Sequence, residues 1–183
     1  RLLREQGFVE NVPYKGIYVT LLSLNNIKQM IYMRVAVETM VLRDFMEIQT
    51  PMVMEEIRHA IAVQKALIQT PGFEPEQFYR MDAQMHSLWF TAVKRQKLWD
   101  MLQAQQLHYT RFRMLDFITE TDFPRIIGEH EQLFELICKK DLSGLEQVLK
   151  DHLYYSMKRM RHSIEVDYKD YFEEEPEENR FVI

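Results

Sequence analysis

The stretch from Phe78 to Phe90 constrains this chain more than any other. Phe78, Tyr79, Asp82, His86, Trp89, Phe90 and Val93 recur at spacings of three and four, so they share one face of a helix. Asp82 and His86 stand one turn apart in the middle of that face. An ionised carboxylate among aromatic rings is costly unless something pairs with it. A plain Asp–His hydrogen bond would do so, and so would a cation held by both side chains. Any fold for this chain must bring partners to that inner face.

The rest of the pattern is helical from Ser23 to nearly the end. Ser23 or Asn25 caps a first helix to about Glu47, with Ile27, Met30, Ile31, Val37, Val41 and Phe45 on its apolar stripe. Thr50-Pro51 starts a second, to about Gln69. The loop Thr70–Pro75 leads into the Asp82/His86 helix, which ends near Lys94. One further helix is predicted from about Gln96 to Ile118, with Leu107, Arg111, Met114, Leu115 and Ile118 on its inner side. Thr121-Asp122-Phe123-Pro124 caps the next, to about Lys140. The last helix follows the turn Asp141–Gly144 and runs past Met160. Only five Gly and six Pro in 183 residues leave little room for turn-rich β architecture. The expected fold is all-α, an antiparallel bundle of about six to seven helices.

Residues 1–22 differ. Arg1–Gln6 reads as a helix end stopped by Gly7, and Phe8–Asn11 and Ile17–Leu22 flank a turn, as in a β-hairpin. Such a hairpin is marginal alone and needs support, expected upstream of residue 1. The first residue is Arg, so the natural N-terminus is expected to lie further upstream. The expected division is 1–22, 23–172 and an acidic, loose tail at 173–183.

Later helices add His130, on a stripe with Ile126, Ile127, Leu133, Phe134 and Ile137, and His152, on one with Leu145, Val148, Leu149 and Tyr155. Four ligand-competent side chains therefore sit mid-stripe on three helices. Imidazole nitrogen and carboxylate oxygen suit zinc, nickel, cobalt or manganese. Three His and one Asp fill a tetrahedron, or four corners of an octahedron with two left for water or a ligand. Arg34 is the other polar residue in an apolar stripe. Glu38, one turn on, can pair with it, or Arg34 can clamp a carboxylate ligand. Arg111 is a weaker case of the same kind. His59, His108 and His162 have no comparable surroundings.

The net charge of −5 and the acidic run near the end argue against a nucleic-acid surface on this stretch itself. One cysteine, Cys138, excludes an intrachain disulfide and fits a reducing cytoplasm. No apolar run approaches the roughly 18–20 residues that span a bilayer. Common helical metalloenzyme signatures are missing: there is one Glu-x-x-His, Glu56 to His59, where a di-iron site needs two, and no His-Glu-x-x-His.

From about Asn25 to Tyr168 the chain resembles the FCD ligand-binding domain of GntR-family bacterial transcription regulators. Arg34-Val35-Ala36-Val37-Glu38 resembles the family's Arg-x-x-x-Glu. Asp82-Ala83-Gln84-Met85-His86 resembles its Asp-x-x-Phe-His, with Met85 where Phe is usual. Glu129-His130, Asp141 and His152 resemble its Glu-His … Asp … His order. Arg95 stands where Asn is usual. Leu2 to Val19 looks like the end of a winged helix-turn-helix, the last turns of its recognition helix and then its wing. The resemblance implies Asp82, His86, His130 and His152 as ligands of one divalent metal ion per chain, zinc or nickel. It implies a small organic acid effector near Arg34; Arg111, from its place in an apolar stripe, is the further effector candidate, with a snorkelling surface side chain as the alternative. It also implies a cytoplasmic homodimer on operator DNA, with no membrane partner and no enzyme activity. A mononuclear metalloenzyme on the same bundle is the alternative.

Overall fold

A computed structural model describes residues 1–119 and 122–174. The chain begins with a helical turn, α1 (Leu2–Glu5), then a hairpin of β1 (Val9–Val12) and β2 (Gly16–Val19). The strands are antiparallel, with Val9 opposite Val19 and Val12 opposite Gly16. Gly16 turns the chain at φ 121°, a conformation that a side chain would strain. The second strand stops at Val19, short of the expected Leu22. Leu22 instead pairs in parallel with Phe172. Its N–H donates to Tyr171 O at 2.8 Å, and Glu173 N–H donates to Leu22 O at 2.9 Å. Phe172 is buried. The start of the expected loose tail is therefore docked, and residues 175–183 lie outside the described ones.

The helical body comprises α2 (Leu24–Ile48), α3 (Pro51–Ile68), α4 (Pro75–Ala92), α5 (Gln96–Ala104), α6 (Leu107–Ile118), α7 (Phe123–Lys139), α8 (Leu142–Arg159) and α9 (Arg161–Glu165). The caps are the expected ones. Ser23, Thr50, Asp122 and Asp141 each accept a backbone N–H from the first turn, and each such cap is worth about 1 kcal/mol. Short loops fold α3 against α4 and α7 against α8. α2 packs on α8, α6 and α4, and α3 also packs on α7. The bundle is antiparallel and all-α, and its core runs through Ile27, Ile31, Phe45, Phe78, Trp89 and Leu149.

Two expectations fail between Gln96 and Ile118. The single helix is two, broken at Gln105-Gln106. The inner face also differs: α6 buries Tyr109, Phe112, Arg113, Asp116 and Phe117 instead of the expected stripe. Ile118 is left 68% exposed. The true stripe contains two charged residues, which made the other face look more apolar.

Candidate metal centre

Asp82 and His86 on α4, His130 on α7 and His152 on α8 are all buried. One donor atom from each lies within 4.8 Å of the other three. Donors around one cation at bonds of about 2.1 Å sit roughly 3–4 Å apart, so the set needs to draw in by only about an ångström. The imidazole rings cluster, with centroids 5.6 Å apart for His86 and His130, 5.4 Å for His86 and His152, and 4.8 Å for His130 and His152.

Each imidazole is aimed by a bond on its far side. The Nδ1–H of His86 donates to Glu38 Oε2 at 2.7 Å, that of His130 to Gln64 Oε1 at 2.8 Å, and that of His152 to Glu129 Oε2 at 2.9 Å. These acceptors assign the proton to Nδ1 and leave the Nε2 lone pair free. Carboxylate or amide oxygens behind ligand imidazoles are the usual support of a metal site, because they set tautomer and ring direction. Arg34 Nη2 also lies 3.3 Å from His86 Nδ1. Both are donors when Nδ1–H donates to Glu38, so the shorter carboxylate bond decides the tautomer.

The inner atoms are left over. Among the described residues Asp82 Oδ1, His86 Nε2 and His130 Nε2 have no hydrogen-bond partner. Asp82 Oδ1 and His130 Nε2 are 3.2 Å apart, within ion-pair reach, but their alignment makes no hydrogen bond. Two acceptors facing each other in a dry core repel, and a cation between them removes the conflict.

The protonation states suit that cation. Burial pushes His130 down to about 4 and lowers His152 as well, so both are neutral near pH 7. Burial alone would raise Asp82, but His130, His86 and Arg113 overrule it and hold the carboxyl well below its ordinary range. Burial likewise acts to raise Glu38, and Arg34 and His86 bring it down to about 2. The donor set thus includes two neutral imidazoles, His130 and His152, and one carboxylate.

Arg34 is buried beside this set. Its Nε donates to Glu38 Oε1 at 2.6 Å and its Nη1 to the Tyr109 hydroxyl at 2.9 Å. Arg111 lies elsewhere. Its Nη1 donates to Thr20 Oγ1 at 3.1 Å and its Nη2 to Thr20 O at 2.7 Å, so its bonds go to the segment joining hairpin to bundle. His59 lies in a surface groove between α3 and α4 with Glu56 and Gln84, apart from the four ligands. Asp141 acts at the start of α8, where it accepts from Gly144 N–H at 3.0 Å. Gln64, Tyr109 and Arg113 were not foreseen as site residues. Gln64 had a visible signal, as the polar member of a buried stripe with Ile57 and Ile61.

Comparison with known proteins bears on this geometry. The FCD domain matches residues 29–155. The chain belongs to the FCD branch of the GntR-family transcription regulators. It is 22% identical over 173 residues to the HTH-type transcriptional repressor RspR of Escherichia coli K12, covering 94% of this chain and 75% of that protein. The HTH-type transcriptional regulator YdfH of Shigella flexneri gives the same figures. The solved structure of E. coli McbR/YncC shares the fold, with a TM-score of 0.71 at 13% identity, covering 88% of this chain and 81% of that one. The family and these relatives are regulators of transcription and not enzymes. Among the described residues no helix is long and apolar enough to cross a membrane.

Proposed function

We propose that this FCD regulator is a metal-dependent sensor of a small organic acid, acting as a cytoplasmic homodimer on operator DNA. Residues 1–22 are the end of its winged helix-turn-helix, the recognition-helix end and the wing. Residues 23–172 are the sensing domain, followed by the tail at 173–183. One observation carries the metal reading: three imidazoles, each fixed from behind through Nδ1, converge with a carboxylate on a point where Asp82 Oδ1, His86 Nε2 and His130 Nε2 have nothing to bond. Asp82, His86, His130 and His152 hold one divalent ion, zinc or nickel. Bound there, the ion supplies a positive centre and open coordination for an effector oxygen.

Regulation then requires the effector to favour one arrangement of the DNA-binding domains over another. α6 is placed to report it. Tyr109 on its inner side bonds Arg34, while His108 and Arg111 hold Ser23 and Thr20 on its outer side. The test is elemental analysis of protein purified without chelator. About one zinc or nickel per chain is expected, falling to none in His86→Ala. A wild-type protein that takes up no divalent metal removes this reading.

A further inference from the structure

The chain beyond α8 is bonded step by step. Met160 alone separates α8 from α9, and backbone bonds cross it: Met160 N–H donates to Ser156 O at 2.9 Å and Ile164 N–H to Met160 O at 2.8 Å. One turn of 3-10 helix follows at Lys169–Tyr171. Val166 N–H donates to His162 O at 3.0 Å, Tyr168 N–H to Ser163 O at 2.8 Å, and Tyr171 N–H to Tyr168 O at 2.9 Å. Met160, Ile164 and Phe172 are buried. The end of α8 is thus tied to Phe172 by a continuous series of short-range bonds.

That series arrives at the joint between the hairpin and the bundle. β2 stops at Val19 and α2 starts at Leu24. Between them, Leu22 gives its N–H to Tyr171 O at 2.8 Å and accepts from Glu173 N–H at 2.9 Å, so both of its backbone polar atoms are held by the C-terminal segment. The Leu22 and Phe172 side chains are 4% and 6% exposed. α6 holds the same joint through other residues, Ser23 by His108 and Thr20 by Arg111. Thr20 also bonds back to Gly7 and Phe8 at the base of the hairpin. A four-residue linker is therefore bound along its length by two separate elements.

The two differ in kind. α6 is a helix of the bundle, whereas Leu22 and Phe172 form an isolated bridge, one residue wide. Such a pairing opens locally without unfolding the core around it. We propose that residues 168–173 are a strap that fixes the hairpin-bearing linker to the bundle, with Phe172 and the backbone N–H of Glu173 as its positioning groups, so that the hairpin follows the C-terminal end of α8. The strap is independent of the metal reading above.

The test uses the whole chain with Cys138→Ser and spin labels at Tyr14→Cys, on the hairpin, and Lys150→Cys, on α8, both of them exposed positions. Glu173→Pro deletes the N–H that Leu22 O accepts. It fits the backbone, because Phe172 at φ −112° and ψ 148° already has the extended conformation required before proline. Phe172→Ala removes the buried ring. Pulsed dipolar spectroscopy should give one narrow distance distribution in the labelled parent and a broader one in both variants. Amides of Leu22 and Ser23 should exchange about fivefold faster or more in Glu173→Pro, the scale of one hydrogen bond, while amides inside α2 and α8 keep their parent rates. Unchanged width and exchange in Glu173→Pro overturn the strap, as does a broad distribution in the parent. Faster exchange throughout the bundle also overturns it, because that is general destabilisation and not release of the linker. If Phe172→Ala does not fold, Glu173→Pro decides alone. Neither readout involves a metal, so the metal centre and the strap fail separately.

Discussion

The core of this bundle holds two buried polar clusters that treat their hydrogen bonds in opposite ways. In one, Arg113 donates to Ser156, Ser156 donates to Asp116, and Arg159 closes on the same carboxylate. Its carboxylate and hydroxyl satisfy each other. In the other, Asp82, His86, His130 and His152 are braced from outside, yet the atoms they turn toward one another include three with no partner. The first is a lock between α6 and α8. The second is a receptor, since leaving buried acceptors unpaired is costly unless a ligand completes them. Burial alone does not separate the two, and the direction of the hydrogen bonds does.

The largest expected effect comes from opening the lock. Asp116→Ala removes the carboxylate that pairs with Arg159 and accepts from Ser156, which should cost about 3–5 kcal/mol. That corresponds to a fall of roughly 10 °C in Tm for a domain of this size. Thermal unfolding in chelator and in nickel should show the same loss, because the metal ligands are untouched. A drop seen only with metal present would merge the two clusters into one site.

Acid should act on the receptor. Burial holds the folded-state His130 at about 4, against an ordinary value of 6.5. The unfolded chain therefore binds this proton first, so the contribution of neutral His130 is complete above pH 6.5 and is lost as pH falls toward about 4. Denaturation of metal-free protein should show stability declining through that window. His130→Phe should flatten the decline, and an unchanged slope would mean that other groups cause it. A smaller effect is expected behind His130. Gln64→Leu removes the acceptor that aims the ring, and metal affinity by dye competition should weaken about tenfold to hundredfold. Asp116→Ala should leave that affinity unchanged.

Much of the receptor was legible in the sequence because its residues interrupt strong apolar stripes. Asp82 and His86 stand among aromatics, and His130 and His152 among aliphatics. Periodicity alone placed all four on inner faces, and the structure buries all four. Glu38 was visible as the residue one turn after Arg34, although its bond to His86 was not. The lock was illegible for the opposite reason. Arg113 and Asp116 share a stripe with Tyr109, Phe112 and Phe117, and two charges in five positions made that face look solvated. The break at Gln105-Gln106 has no Gly or Pro to announce it, so the expected helix ran through it.

The smallest expected effect concerns a residue in neither cluster. Arg111 was expected at the effector, but its two hydrogen bonds go to Thr20 on the segment that carries the hairpin. It is half-buried, so Arg111→Ala should cost no more than about 1 kcal/mol of global stability. Metal affinity should not change. The effect should be local. Amides of Leu21 to Ser23 should exchange faster with solvent, because the segment would then be tied to the bundle through His108 and the Leu22–Phe172 pairing, while Thr20 keeps its bonds to Gly7 and Phe8 of the hairpin. Nickel-loaded Arg111→Ala should also bind small organic acids as wild type does. The opposite pattern, slow exchange retained and anion binding lost, would return Arg111 to the effector site. Arg111 and Arg113, two residues apart on one helix, face opposite ways: Arg113 inward to Ser156 on α8, Arg111 outward to the hairpin linker.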